Sequence, residues 1–159
     1  LFSWGEPGMD PGQFIRPHNV VVDNDDNIYV ADREAHRIQI FNTKGKVVAI
    51  WNNIHRPDGI CLDKDGNFFI GELNGMPGVD DAPGLGHRVS IYNLQGQLLS
   101  RFGDPHEGEG PGQFIAPHGV ATDSRGDLYV GEASTTIRGS HMNPPRELRS
   151  FQKYARVIT

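Results

Sequence analysis

An all-β array of three four-stranded blades, the repeating unit of a β-propeller, is the fold this sequence predicts, and three observations predict it. The stretch Pro11-Gly-Gln-Phe-Ile-Arg-Pro-His18 returns 100 residues later as Pro111-Gly-Gln-Phe-Ile-Ala-Pro-His118. Each copy runs on into the same alternating strand, aspartate turn and Tyr-Val strand. A diverged copy lies between them, with Arg56-Pro-Asp-Gly-Ile-Cys-Leu-Asp63 standing 40 residues after Arg16 and 60 before Ala116. Several short strands in a unit of roughly 40 to 50 residues are the signature of propeller blades. The blades fall at about 14–53, 54–104 and 114–159, within a single domain.

In the first blade, residues 19–23 read as a strand, 24–27 as a turn and 28–31 as its hairpin partner. Strands at 37–41 and 46–51 flank Asn42-Thr-Lys-Gly45, whose glycine suits the positive φ of a tight turn. The second blade repeats the scheme at 58–62, 67–70, 88–92 and 97–102. Arg37 corresponds to Arg88, an offset of 51 rather than 40, so about 11 extra residues fall in the Gly/Pro/Asp-rich segment 73–86. The third blade supplies 119–122, 127–130 and a strand within 148–157, with a second long loop at 133–145. Both loops leave the same edge, and insertions on one face of a repeat array form either a binding face or tolerated surface loops.

The ends of the chain complement each other. Leu1-Phe-Ser-Trp4 matches Ser100-Arg-Phe102, so it reads as an outer fourth strand without its own blade, while blade three has no evident fourth strand. Three blades do not close a ring, so either the chain is a fragment or a second copy supplies the other half; a homodimer that swaps 1–4 into the partner's third blade would close a six-bladed ring and remove exposed sheet edges.

Composition narrows the function classes. A net charge of -5 argues against a nucleic-acid partner, which needs a basic face. No apolar run is long enough to span a membrane. The opening residues read as strand and turn rather than as a secretory leader, and the missing initial Met points to a truncated or processed chain. Cys61 is the one cysteine and sits on a predicted inner strand, so a buried thiol is expected and no disulfide framework marks an oxidising compartment. No compartment is fixed by these features, the cytoplasm being the better fit. Gly139-Ser-His-Met142 looks like a tag remnant but is internal, and is read as coincidence.

Arg16-Pro-His-Asn-Val-Val-Val-Asp23 followed by Asn27-Ile-Tyr-Val-Ala-Asp-Arg-Glu-Ala-His-Arg-Ile-Gln-Ile-Phe41 resembles the NHL repeat, and the likeness extends over nearly the whole chain. Within that family the chain is similar to the second half of six-bladed proteins like peptidyl-α-hydroxyglycine α-amidating lyase. There, three Pro-His units on alternate blades hold a zinc ion on the propeller axis. Here Pro17-His18 and Pro117-His118 stand on blades one and three, with Pro57-Asp58 between them. The resemblance also implies an active-site position for Arg33. The third histidine and the catalytic tyrosine of the lyase have no counterpart: Tyr29, Tyr92, Tyr129 and Tyr154 lie outside that motif.

The residues carry part of this chemistry unaided. Equivalent positions at the start of inner strands converge on a central channel. His18 and His118 are therefore candidate metal ligands there, with Asp58 either a third ligand or a turn cap. Neutral imidazoles suit zinc, and calcium is the alternative. Arg33 could clamp a substrate carboxylate or pair with its neighbour Glu34. Asp32, Glu72 and Glu132 are in register, and repeated acids of this kind bond backbone amides more often than they catalyse. Arg37 and Arg88 are read as structural, and Asp23, Asp63 and Asp123 as turn residues. His36, His55, His87, His106 and His141 show no register with one another and read as loop or surface residues. Two functions follow as expectations. One is a metal-dependent lyase or hydrolase acting on a small carboxylated or peptide-like substrate. The other is a non-catalytic propeller that binds a ligand or a protein.

Overall fold

The computed structural model describes residues 1–75 and 85–157. Three antiparallel meanders follow one another along the chain. The first sheet is β1 (Pro17–Val22), β2 (Ile28–Asp32), β3 (Arg37–Phe41) and β4 (Val47–Trp51), and the second is β5 (Pro57–Leu62), β6 (Asn67–Glu72), β7 (Arg88–Asn93) and β8 (Leu98–Phe102). The third holds β9 (Pro117–Thr122), β10 (Leu128–Glu132) and β11 (Phe151–Tyr154). Blade three thus has three strands among the described residues, and Leu1-Phe-Ser-Trp4 pairs with none.

The inner strands begin two or one residues earlier than the alternation suggests, at Pro17, Pro57 and Pro117. Proline is tolerated as the first residue of a strand, where its missing N–H costs no ladder bond. The turns after them are built by one device. Asp23 accepts the backbone N–H groups of Asp25 and Asn27 and the Tyr29 hydroxyl, and Asp123 does the same for Arg125, Asp127 and Tyr129. The outer turn of blade one holds Gly45 at φ 74°.

Each blade buries one face against the next. Tyr29, Ala31, Ile38, Ile40 and Trp51 of blade one pack on Ile60, Phe68, Ile70 and Tyr92 of blade two. The opposite face of blade two, Val89 with Phe69 and Phe102, packs on Phe114, Leu128, Val130 and Tyr154. Cys61 lies near this junction; it is half-buried rather than fully enclosed, and burial pushes its thiol up to about 11, which keeps it protonated and unreactive at neutral pH.

The segment 133–145, expected as a loop, contains a helical turn, α1 (Ser134–Ile137), and a 3-10 turn over Gly139–His141. Ile137 and Met142 pack over Leu73, Ile115, Ala116 and Leu148, so the segment caps blades two and three. Of the other long loop, 73–86, residues 76–84 lie outside the described part. No described helix is long and apolar enough to cross a membrane.

The first residues repeat an internal junction. Trp4 packs on Phe41 and Phe14 on Phe41, at 5.8 and 5.7 Å between ring centroids. Phe102, Phe114 and Tyr154 form the same cluster further along, at 5.1 and 5.8 Å. Trp4 therefore sits against blade one as β8 sits against blade three. The two outer faces of the array stay open: Val20 and Val22 of blade one are 57% and 54% exposed, and Phe151 of blade three is 63% exposed. Phe151 pairs with Gly131 as Val89 pairs with Gly71, yet Val89 is fully buried.

Candidate functional site

The site is built by an irregularity shared by the three inner strands. In β1 the pairing passes from Pro17 to Asn19, in β9 from Pro117 to Gly119, and in β5 from Pro57 to Ile60. His18, His118 and Asp58, the last together with Gly59, are left out of the ladder. A bulge re-aims the side chain it carries, and bulges concentrate next to functional sites. Here the bulges turn His18, Asp58 and His118 towards one another, and one ligand atom from each lies within 4.8 Å of the other two.

Each bulge is fixed from behind by a buried acid. Asp32 Oδ1 accepts the N–H groups of Ile15 and Arg16, and Glu132 Oε2 accepts those of Ile115 and Ala116. Glu72 Oε2 accepts the N–H of His55. An arginine on or just before the next strand neutralises the acid in each case: Arg37 Nε donates to Asp32 at 3.1 Å, Arg88 Nε to Glu72 at 2.8 Å, and Arg149, ahead of β11, lies 3.8 Å from Glu132. The acids in register therefore bond backbone amides, and Arg37 and Arg88 are structural.

Blades two and three come close because Gly59 has no side chain. A Cβ there would stand 2.2 Å from the His118 carbonyl oxygen and 3.1 Å from Gly119 Cα. Asp58, one residue earlier, is fully buried. Its Oδ1 lies 2.5 Å from His18 Nδ1, which is also 3.3 Å from the Asp58 carbonyl. With two oxygens as its neighbours, Nδ1 is placed to donate, which leaves Nε2 as the ring nitrogen for another ligand. The other carboxylate oxygen, Oδ2, is buried without a hydrogen-bond partner and stands 3.8 Å from His118 Nε2. The two imidazole rings meet edge to face at 4.9 Å. His18 is partly exposed and His118 more so, which leaves the cluster open on one side.

A buried oxygen with no partner, beside two imidazoles, is the donor set a divalent cation completes. Two nitrogens and a carboxylate match three-ligand zinc sites that keep an open position, whereas calcium takes six to eight oxygens. Arg33 is engaged by two of the protein's own acids: its Nε donates to Glu34 Oε1 at 2.9 Å and its Nη1 to Asp58 Oδ1 at 3.4 Å. The expected pair of Arg33 with Glu34 is present and is extended by Asp58. Burial works to raise the Glu34 carboxyl, but Arg56 and Arg33 hold it below the ordinary value.

A second histidine group lies away from this cluster. The register of Arg37 and Arg88 extends one residue back, to His36 and His87, both at positive φ (53° and 49°). His87 is buried and hydrogen-bonded through Nδ1 to the Ile115 carbonyl, and His36 packs on His55 at 4.8 Å. All five of these histidines lie outside the strands, and His106 and His141 are exposed, as expected; what is corrected is the absence of register, since His36 and His87 are equivalent and each packs on the entry loop of the next blade. The sequence signal was the shared 51-residue offset.

Burial first, then His36, Arg56, Arg88 and His87, depress His55 to about 4. The fold therefore holds it neutral. Its contribution is complete above the unfolded value near 6.5 and disappears as pH falls from there towards 4. Stability should drop by about 2 kcal/mol over that interval, partial exposure discounted, and a His55→Phe variant should flatten this part of a urea-unfolding series.

Known proteins are compared against this geometry. The family model described as "NHL repeat" matches residues 14–41, the span of β1, β2 and β3. This is an NHL-repeat propeller chain. The NHL chain is 30% identical over 130 residues to "Protein brain tumor" of Drosophila melanogaster, covering 82% of this chain and 12% of that protein. It is 27% identical over 169 residues to "Peptidyl-glycine alpha-amidating monooxygenase B" of Xenopus laevis, covering 96% of this chain and 18% of that protein. The NHL chain thus spans under a fifth of each of these two relatives. Among solved structures it resembles an inactive virginiamycin B lyase of Staphylococcus aureus with TM-score 0.57 and 15% identity, covering 94% of this chain and 43% of that one. It also resembles the WD40 β-propeller domain of Doa1, with TM-score 0.52 and 18% identity, covering 72% and 33%. These two likenesses describe the fold.

Proposed function

We propose that the NHL chain holds a divalent metal, zinc in preference to calcium, on the propeller axis through His18 Nε2, His118 Nε2 and Asp58 Oδ2. The observation that carries this reading is the convergence of the three bulged residues around a buried, partnerless carboxylate oxygen. The likeness to the amidating monooxygenase over 96% of the chain supports it. Zinc, when bound, polarises a carbonyl or lowers the pKa of a bound water. The chain's own residues set up that chemistry: Asp58 orients His18, the entry-loop acids hold both histidines, and the exposed side of His118 leaves room for a ligand. The activity is that of a lyase or hydrolase towards a small carboxylated or peptide-like substrate. Elemental analysis of purified protein tests this directly. About one zinc per site is expected, and metal-free protein after zinc loading and gel filtration would leave the non-catalytic binding propeller as the reading.

The ring is completed by a second copy. The Trp4 cluster repeats the β8 junction, and the open faces carry Val20 and Val22 at one end and Phe151 at the other. Residues 1–4 of one copy would then pair with β11 of its partner, bringing Trp4 to Phe151 as Trp51 meets Ile38 and Phe102 meets Val89. Light scattering should give about twice 17.6 kDa, and Phe151→Asp should halve it. A well-folded monomeric parent would contradict the closure.

A further inference from the structure

Four charged residues link the metal cluster to the base of the long loop of blade two. Arg56 Nη1 donates to the carbonyls of Asn74 and Gly75, at 2.8 and 2.6 Å. The other side of its guanidinium donates to both oxygens of Glu34, at 3.2 Å from Nε and 2.8 Å from Nη2. Glu34 Oε1 receives Arg33 Nε as well, and Arg33 Nη1 reaches Asp58 Oδ1. All four side chains are largely or fully withdrawn from solvent, with exposures of 10% for Arg56, 21% for Glu34, 12% for Arg33 and 0% for Asp58.

We infer that Arg33 and Glu34 are positioning residues for the metal site, acting through Asp58. This inference rests on the metal reading and goes beyond it by assigning Arg33 to the protein's own carboxylate instead of to a substrate's. The physical reason is directional. Asp58 has two oxygens with different tasks: Oδ1 is engaged by His18 and Arg33, and only while it is so engaged does Oδ2 face His118. The guanidinium fork suits this role because its nitrogens lie in a fixed plane. Nε is anchored on Glu34 and Nη1 is thereby aimed at Asp58. A lysine ammonium in its place keeps the charge but lacks the rigid plane that sets the direction of each donor. Glu34 in turn stays in place because Arg56 is tied to backbone carbonyls, so the reference point of the chain is the blade-two loop base.

Groups that orient metal ligands contribute about 10- to 100-fold in metal affinity when removed. Cobalt(II) serves as the probe, because it reports both affinity and ligand set through its visible absorption. Arg33→Ala and Glu34→Gln should each weaken cobalt binding about tenfold while leaving the band positions of the bound form unchanged. Arg33→Lys should recover less than half of the loss on a logarithmic scale. Thermal melting of each metal-free variant separates loss of positioning from loss of fold, and Glu34→Gln, which keeps shape and volume, serves if Arg33→Ala fails to fold. Affinity equal to the parent's in both Arg33→Ala and Glu34→Gln overturns the inference, as does full recovery by lysine. A parent that binds no cobalt fails at the earlier step, the metal reading itself, and is recognised as such because the variants are then irrelevant to it.

Discussion

Gly59→Ala should unfold the junction between blades two and three and abolish metal binding in the same stroke. The added Cβ would lie 2.2 Å from the His118 carbonyl oxygen, a backbone atom on an inner strand that cannot rotate away. Strands β5 and β9 must therefore separate at the point where Asp58 and His118 face each other. Overpacking of a well-filled interior costs about 1 to 3 kcal/mol, and a backbone clash on both partners places this substitution at about 3 kcal/mol. Gly119→Ala is the matched control. Gly119 follows His118 as Gly59 follows Asp58, but nothing lies within 4 Å of a Cβ built there. Chemical denaturation should show a large loss for Gly59→Ala and less than about 0.5 kcal/mol for Gly119→Ala. Equal effects of the two would mean that the close approach does not hold the junction.

The second large effect belongs to the ligands. A His18→Ala, His118→Ala double variant should lose zinc affinity by at least about 100-fold, because a single carboxylate is left where three donors converged. Stability of the metal-free protein should fall far less than the affinity, since Arg33 still pairs with the buried Asp58 when His18 is gone and His118 is exposed. Calorimetric titration at matched pH checks this. The separation matters, because a drop in stability matching the drop in affinity would mark the histidines as packing residues.

Much of this architecture was legible because a repeat states each relation more than once. The 100-residue offset of His18 and His118, and the offsets of 40 and 100 that relate Asp32 to Glu72 and Glu132, place these residues at equivalent points of three blades. What periodicity cannot give is a contact between non-equivalent positions. Arg33 on blade one reaches Asp58 on blade two, and His36 reaches His55, because adjacent blades are set side by side at an angle that no spacing within one blade encodes. The bulges were missed for a related reason. A residue left out of the ladder has the same sequence neighbours as one within it, and the alternation simply appeared to begin later, at Asn19 and Gly119. The four-residue helical turn at Ser134–Ile137 is too short to present a 3.6-residue apolar period, and its place in the fold is set by packing over Ile115 and Leu148.

The central claim is that imidazole nitrogens from two blades and one buried carboxylate surround a metal. Zinc-edge X-ray absorption of the zinc-loaded protein examines that shell itself. Light scatterers are expected at about 2.0 to 2.1 Å with the outer-shell pattern of two imidazole rings, lost in the double variant. A shell of oxygens alone, or an unchanged spectrum in the double variant, would contradict it.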